Sequence, residues 1–249
     1  MSRRILVTGA RRGIGAALAV GLPDPGDTVV LHHLGAPHET PEIDAVARRC
    51  RDAGIEPVVV TADLATPAGA VALADRAGPV DVLVNNAARA SNVTVDALTV
   101  PEWTDTFAVN VTAPMLLAQA LAPGMRTREG GRIINVTSAT VRLGGPSGPA
   151  YVASKAALVG LTRALARAYG PDGTTVNAIS PGAIRTESEA ELAAGRSPDE
   201  IDAEVYQRQA LLRRLTPGDL VATARWLASP GAAAVTGQVV EVGGGLVYR

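Results

Sequence analysis

The sequence predicts an α/β fold: a single domain on a doubly wound parallel sheet of about seven strands, with helices on both faces. Three observations predict it. Strand-like and helix-like segments alternate from end to end of the 249 residues. Several strand candidates are apolar without interruption, as strands covered on both faces are. A glycine-rich turn separates the first strand from the first helix.

Residues 4–8 form the first strand, and a helix over 14–22 is stopped by Pro23 and Pro25. A second strand, 28–32, leads to an amphipathic helix over 41–53 that ends at Gly54. Residues 56–61 and 67–77 are the third strand and its helix. After a fourth strand at 80–84, residues 101–126 make a long helical stretch, bent near Pro114. The fifth strand, 132–136, carries β-branched Ile133, Ile134 and Val136 behind Gly131. A helix rich in Ala and Leu spans 150–168, and 175–179 is the sixth strand. Residues 187–212 are charged and read as two short helices, 217–227 as a helix, and 238–242 as a seventh strand. No repeat, linker or low-complexity tail divides the chain, so residues 1–249 are expected to be one domain.

Composition narrows the classes. Aromatic residues are only 3%, so Ala, Val and Leu must fill the core. A net charge of -1 supplies no electrostatic reason to expect nucleic acid. The one cysteine, Cys50, excludes an internal disulfide, fits a reducing compartment, and reads as a buried thiol on a helix. No apolar run approaches the ~18 residues of a membrane span, and the apolar part of the N-terminus ends after Val7. A cytoplasmic protein without membrane contact is expected. Residues 115–121 and 156–165 are apolar or small around more than one helix face, which predicts burial against another copy, in a dimer or tetramer.

Thr8-Gly9-Ala10-Arg11-Arg12-Gly13-Ile14-Gly15 follows the first strand and opens the first helix. Glycines at such a turn let a pyrophosphate approach the backbone and the helix N-terminus, as in Rossmann-type sheets. The spacing is Gly-x-x-x-Gly-x-Gly. Many adenosine-binding folds end the second strand on an acid that holds the ribose 2′-hydroxyl. Here that end reads Leu31-His32-His33-Leu34-Gly35, with no acid between Asp27 and Glu39. Arg11 and Arg12 offer guanidinium forks to a 2′-phosphate instead, so NADP(H) is expected over NAD(H), with His33 beside it.

Ser138 lies at the exit of the fifth strand, and Tyr151 and Lys155 stand four residues apart on one helical face. A hydroxyl, a phenol and an ammonium can therefore meet at the open edge of the sheet. An ammonium beside a phenol favours the phenolate, one way to fit a tyrosine for proton transfer.

Together these residues resemble the short-chain dehydrogenase/reductase family over essentially the whole chain, most closely its 3-oxoacyl-(acyl carrier protein) reductase-like group. Thr8–Gly15 resembles the family's cofactor motif, and Asp63-Leu64 its adenine contact, although Asp63 can equally begin the next helix. Asn85-Asn86-Ala87 matches its Asn-Asn-Ala segment, Asn110 its helix asparagine, and Ser138, Tyr151 and Lys155 its serine and Tyr-x-x-x-Lys signature. Pro181-Gly182, with Ile184 and Thr186, matches its Pro-Gly-x-Ile-x-Thr turn. The sequence departs where Ala88 replaces a usual glycine and where Val242-Gly243-Gly244-Gly245 lacks a usual aspartate. The second departure could loosen the last strand.

The resemblance implies an NADPH-dependent reductase of a ketone, of 3-oxoacyl or similar type, free or carrier-bound. Tyr151 would protonate the carbonyl oxygen, Ser138 would hydrogen-bond it, and Lys155 would hold the nicotinamide ribose and stabilise the phenolate. Asn110 would position a water for proton resupply. Asn86, Ala87, Ala88 and the 181–186 turn would contact the cofactor. An alcohol dehydrogenase running in the oxidative direction, or a silent NADP-sensing regulator, are the alternatives. No metal is expected. Residues 185–212 would form a substrate lid, mobile or fixed, with residues 143–146 as the opposite wall. Arg126, Arg128 and Arg132 cluster about a turn that could meet an acidic carrier, or is simply solvated.

Overall fold

The computed structural model describes residues 2–36, 40–126, 130–192 and 195–248. Its strands are β1 Arg4–Val7, β2 Thr28–His33, β3 Glu56–Thr61, β4 Val82–Asn85, β5 Arg132–Val136, β6 Thr175–Pro181 and β7 Val239–Val242. They form one sheet in the order β3-β2-β1-β4-β5-β6-β7, and every neighbouring pair is parallel. The winding direction reverses between β1 and β4. Their carboxyl ends therefore diverge into a crevice, the switch point at which such sheets bind ligands.

Alternate residues of β1, β2, β4, β5 and β6 enter opposite cores. Ile5, Val7, Val29 and Leu31 face α1 Gly13–Gly21, α2 Thr40–Asp52 and α10 Val221–Leu227. Leu6, Val30, Leu83 and Ile133 face α3 Pro67–Ala77, α5 Ala113–Arg126 and α7 Pro149–Tyr169. This double burial explains the uninterrupted apolar strands. Cys50 is 0% exposed on α2, as expected.

The stretch expected as one helix over 101–126 is three pieces. α4 Val100–Phe107 runs into a π-helical turn, Ala108–Thr112, and then into α5. The expected bend near Pro114 is thus a widened turn just before it. Pro114 has no N–H for the carbonyl four residues back, that of Asn110, and its ring crowds that oxygen. By length and hydropathy Val100–Arg126 could cross a membrane, which corrects the expectation that no stretch could. In the fold, its Ala113, Leu117, Leu121 and Met125 are buried against the sheet.

The segment expected as two helices over 187–212 ends its helices earlier, as α8 Glu187–Leu192 and α9 Pro198–Arg208. The helix expected over 217–227 begins as a 3-10 turn, Pro217–Leu220, before α10. α6 Thr140–Leu143 is a single turn that the sequence reading did not anticipate. The basic cluster is corrected too. Arg132 is buried, with Nη1 donating 3.0 Å bonds to the Gly130 and Gly131 carbonyls, and Arg126 pairs with Asp172 at 3.0 Å. Arg128 lies outside the described residues.

Candidate active site and cofactor cleft

The crevice is a cleft of about 890 Å³. Its floor is the glycine turn. Thr8 Oγ1 accepts the Asn86 and Ala87 N–H groups at 2.9 and 3.0 Å, joining the ends of β1 and β4. Asn86 Nδ2 donates to the Thr8 and Gly9 carbonyls at 2.9 and 3.1 Å, so its amide braces the turn. A Cβ on Gly15 would stand 2.0 Å from the Gly9 carbonyl oxygen, so only glycine lets the helix start this close.

The sequence reading missed His32, placing only His33 at this edge. His32 is buried; its Nδ1 accepts the Gly9 N–H at 3.1 Å, and its Nε2 donates to the Ala62 carbonyl at 3.0 Å. That pairing selects the neutral Nε2–H tautomer and ties the glycine turn to β2 and β3. Two adjacent histidines ending a strand were the available signal.

Gly9, Arg11, Arg12, Gly13, Ile14, Gly15, His33, Asp63, Leu64, Asn86, Ala87 and Ala88 all line the cleft. Arg11 pairs with Glu42, and Arg12 with Glu191 of α8. Asp63 has one carboxylate oxygen on the Ala65 N–H at 2.9 Å, while Thr66 caps α3, so Asp63 both starts a turn and faces the cleft. On the other side Pro181, Gly182, Ile184 and Thr186 line it, with Ile184 bridged to Leu215. A Cβ on Gly182 would be 2.6 Å from the Gly243 Cα, and the Gly182 N–H donates to the Val242 carbonyl at 3.1 Å. The glycine-rich tail is therefore packed tightly under the turn, against the expected loosening.

The reacting groups come from β5 and α7. Asn85 donates to Asn135 at 2.9 Å and Asn135 to Thr162 at 2.8 Å, a buried chain that fixes the rotation of α7 against β4 and β5. Tyr151 and Lys155 then face the end of β5. Thr137 is spent on the Ile179 carbonyl at 3.0 Å, whereas Ser138 lines the cleft and hydrogen-bonds Tyr151. Burial pushes the Tyr151 phenol above its ordinary value, and the Ser138 bond pulls it partly back. Tyr151 as a residue is partly accessible, but protein packs densely about its phenol. The expected lowering by Lys155 is not what dominates.

Lys155 is 2% exposed; Nζ donates to the Val136 carbonyl at 2.7 Å and lies 5.6 Å from the Tyr151 ring centroid. Burial pulls its ammonium down to about 8. It is the only lysine in the chain, every other side-chain cation of that class being arginine, a signal that sequence reasoning overlooked.

Asn110 is fully buried and does not line the cleft. Its Oδ1 accepts the Arg89 N–H at 2.8 Å, and its Nδ2 donates to the Arg89 carbonyl and to Ser154 Oγ at 3.1 and 2.9 Å. Both amide hydrogens are taken, so the side chain braces the loop after β4 and is not poised over a water. α8 and α9 meet at Arg214, which is buried, bonds Asp202 at 2.6 Å and pairs with Glu189; Asp202 also pairs with Arg185. Leu143 and Pro146 line the opposite wall, as expected.

Comparison with known proteins agrees with this geometry. The family model for enoyl-(acyl carrier protein) reductase matches residues 9–247. A curated relative from Rhizobium meliloti, named for galactose dehydrogenase activity, is 38% identical over 98% of this chain and 94% of its own. The crystal structure of an Agrobacterium tumefaciens 3-oxoacyl-(acyl-carrier-protein) reductase with NADP bound has a TM-score of 0.89 and 32% identity over 98% of this chain and 93% of its own. A Beutenbergia cavernae structure with NADP at low occupancy, named for NAD(P)-dependent gluconate 5-dehydrogenase activity, has a TM-score of 0.89 and 37% identity over 98% and 96%. With the sheet order, the glycine turn and the Ser-Tyr-Lys cluster in place, this chain belongs to the short-chain dehydrogenase/reductase family of oxidoreductases.

Proposed function

We propose that the protein is an NADPH-dependent carbonyl reductase acting on a ketone, with Tyr151 as general acid. The observation that carries this reading is the Tyr151 phenol, held by Ser138, with Lys155 beside its ring, in one cleft with the glycine turn. The glycine turn, closed tightly between Gly9, Gly15 and Asn86, lines the cleft where a dinucleotide pyrophosphate would lie against the start of α1. NADP-bound crystal structures of relatives support NADP(H) as the cofactor.

Arg12 and Arg11 would take the 2′-phosphate, His33 and Asp63-Leu64 the adenosine side, and Asn86 to Ala88 with the 181–186 turn the rest. NADPH supplies the hydride. Tyr151 stays protonated at neutral pH because burial raises it, so it can give its proton to the carbonyl oxygen. Ser138 donates to the same oxygen as charge develops. Lys155 stabilises the resulting phenolate. Asn110 would serve through its backbone: Pro114 denies its carbonyl the ordinary helical partner, leaving that oxygen as the candidate anchor for a proton-carrying water.

The substrate would be a 3-oxoacyl-type or similar small ketone, with residues 185–212 as the lid. Homo-oligomerisation would use α4 and α7, which pack against each other and leave Val100 and Trp103 of α4 and the small Ala156 and Gly160 of α7 exposed. Light scattering would give the oligomeric state. The central test is Tyr151→Phe. Turnover with NADPH and a carbonyl panel should fall by about 10²- to 10⁴-fold while NADPH binding persists. Unchanged turnover removes Tyr151 from the chemistry.

A further inference from the structure

Arg12, the residue assigned above to the 2′-phosphate, already holds an anion. Nη1 and Nη2 grip the two carboxylate oxygens of Glu191, the second at 2.6 Å, across 179 residues of sequence. This two-point fork is the geometry with which arginine takes a phosphate. Glu191 is largely exposed on α8, and this pair ties it to the glycine turn. Two residues earlier on α8, Glu189 is pinned by the buried Arg214. α8 thus hangs between the glycine turn and the base of the lid.

The surroundings make exchange necessary. Arg12 also feels Glu42 and Glu187, and Arg11 is paired with Glu42. Two guanidinium groups therefore face three carboxylates. A 2′-phosphate, carrying close to two negative charges, cannot share this fork with Glu191 without strong repulsion. A cofactor with only a 2′-hydroxyl has no charge with which to displace it.

We propose that Glu191 is an intramolecular competitor for the 2′-phosphate at Arg12, so that only the phosphorylated cofactor releases α8 from the glycine turn. This rests on the assignment of Arg12 to that phosphate. Glu191 lowers affinity for NADP(H), and the displaced helix is how the lid registers which cofactor is bound.

The experiment measures NADP⁺ and NAD⁺ dissociation constants for wild type, Glu191→Gln and Arg12→Ala, with 2′,5′-ADP as a probe lacking the nicotinamide. Glu191→Gln should tighten NADP⁺ and 2′,5′-ADP by about three- to five-fold, as expected for removal of an exposed ion pair, and leave NAD⁺ nearly unchanged. Amide exchange over residues 187–192 should rise on adding NADP⁺ to wild type and not on adding NAD⁺. If Glu191→Gln leaves NADP⁺ affinity unchanged or weaker while Arg12→Ala still discriminates the two cofactors, the competitor role is overturned and the phosphate assignment stands. If Arg12→Ala weakens both cofactors equally, the phosphate assignment itself falls.

Discussion

Lys155 Nζ donates to the Val136 carbonyl at 2.7 Å while lying 5.6 Å from the Tyr151 ring centroid, so one buried ammonium joins the end of β5 to the proposed proton donor. A carbonyl and a ring face do not replace the water it lost, and its pKa falls from 10.5 to about 8. By linkage this burial costs about 3 kcal/mol. Below about pH 8 both folded and unfolded chains carry the proton and the cost is fully present. Between about 8 and 10.5 the folded chain loses the proton first, so stability rises with pH. Lys155→Met should therefore stabilise the protein at pH 7 by up to about 3 kcal/mol and abolish turnover. The stability difference between the two should shrink over that pH window in urea titrations. A difference independent of pH would show that the ammonium is not buried as described.

His32 should matter for both cofactors alike. Replacing it by Ala leaves the Gly9 N–H without its acceptor and unties the glycine turn from β2. The expected cost is about 1–2 kcal/mol of stability and roughly ten-fold weaker binding of NADP⁺ and NAD⁺ together. Calorimetry distinguishes this from Arg12→Ala; a loss confined to NADP⁺ would contradict the positioning role.

Arg214 ties α8 to α9 within the proposed lid. Arg214→Ala strands Glu189 and leaves Asp202 with Arg185 alone. Because the arginine is buried but its acids are partly exposed, the expected loss is about 2 kcal/mol. KM should rise more than kcat falls, and proteolysis within residues 185–212 should accelerate. Wild-type kinetics would mean that the ion pairs do not hold the lid.

Cys50 should be inert. Burial raises its thiol to about 11, so almost no thiolate exists at neutral pH. A thiol reagent at pH 8 should label the denatured protein and leave the native one unmodified over hours. Rapid native labelling would show that α2 opens readily.

Much of this was legible beforehand because local patterns and tertiary burial agree. β3, α3 and β5 fall at the expected boundaries, since β-branched runs and a Thr-Pro start carry their own signals. The cleft brings together every expected cofactor residue and Ser138, Tyr151 and Lys155. What was not legible depends on three-dimensional partners. The π turn presents Asn110 to Arg89 and Ser154, partners that periodicity does not encode. Arg132 looked solvated because composition cannot say that a turn folds its guanidinium inward. Glu191 meets Arg12 only once α8 has folded across the cleft.

That Lys155 is the sole lysine gives the molecule an unusual asymmetry toward reagents. Its one internal primary amine points at the catalytic crevice, while its surface cations are guanidinium groups that acylating and aldehyde probes largely ignore. Apart from the terminal amino group, mild amine chemistry can therefore report on one place only, and cofactor lying over that place would act as its shield.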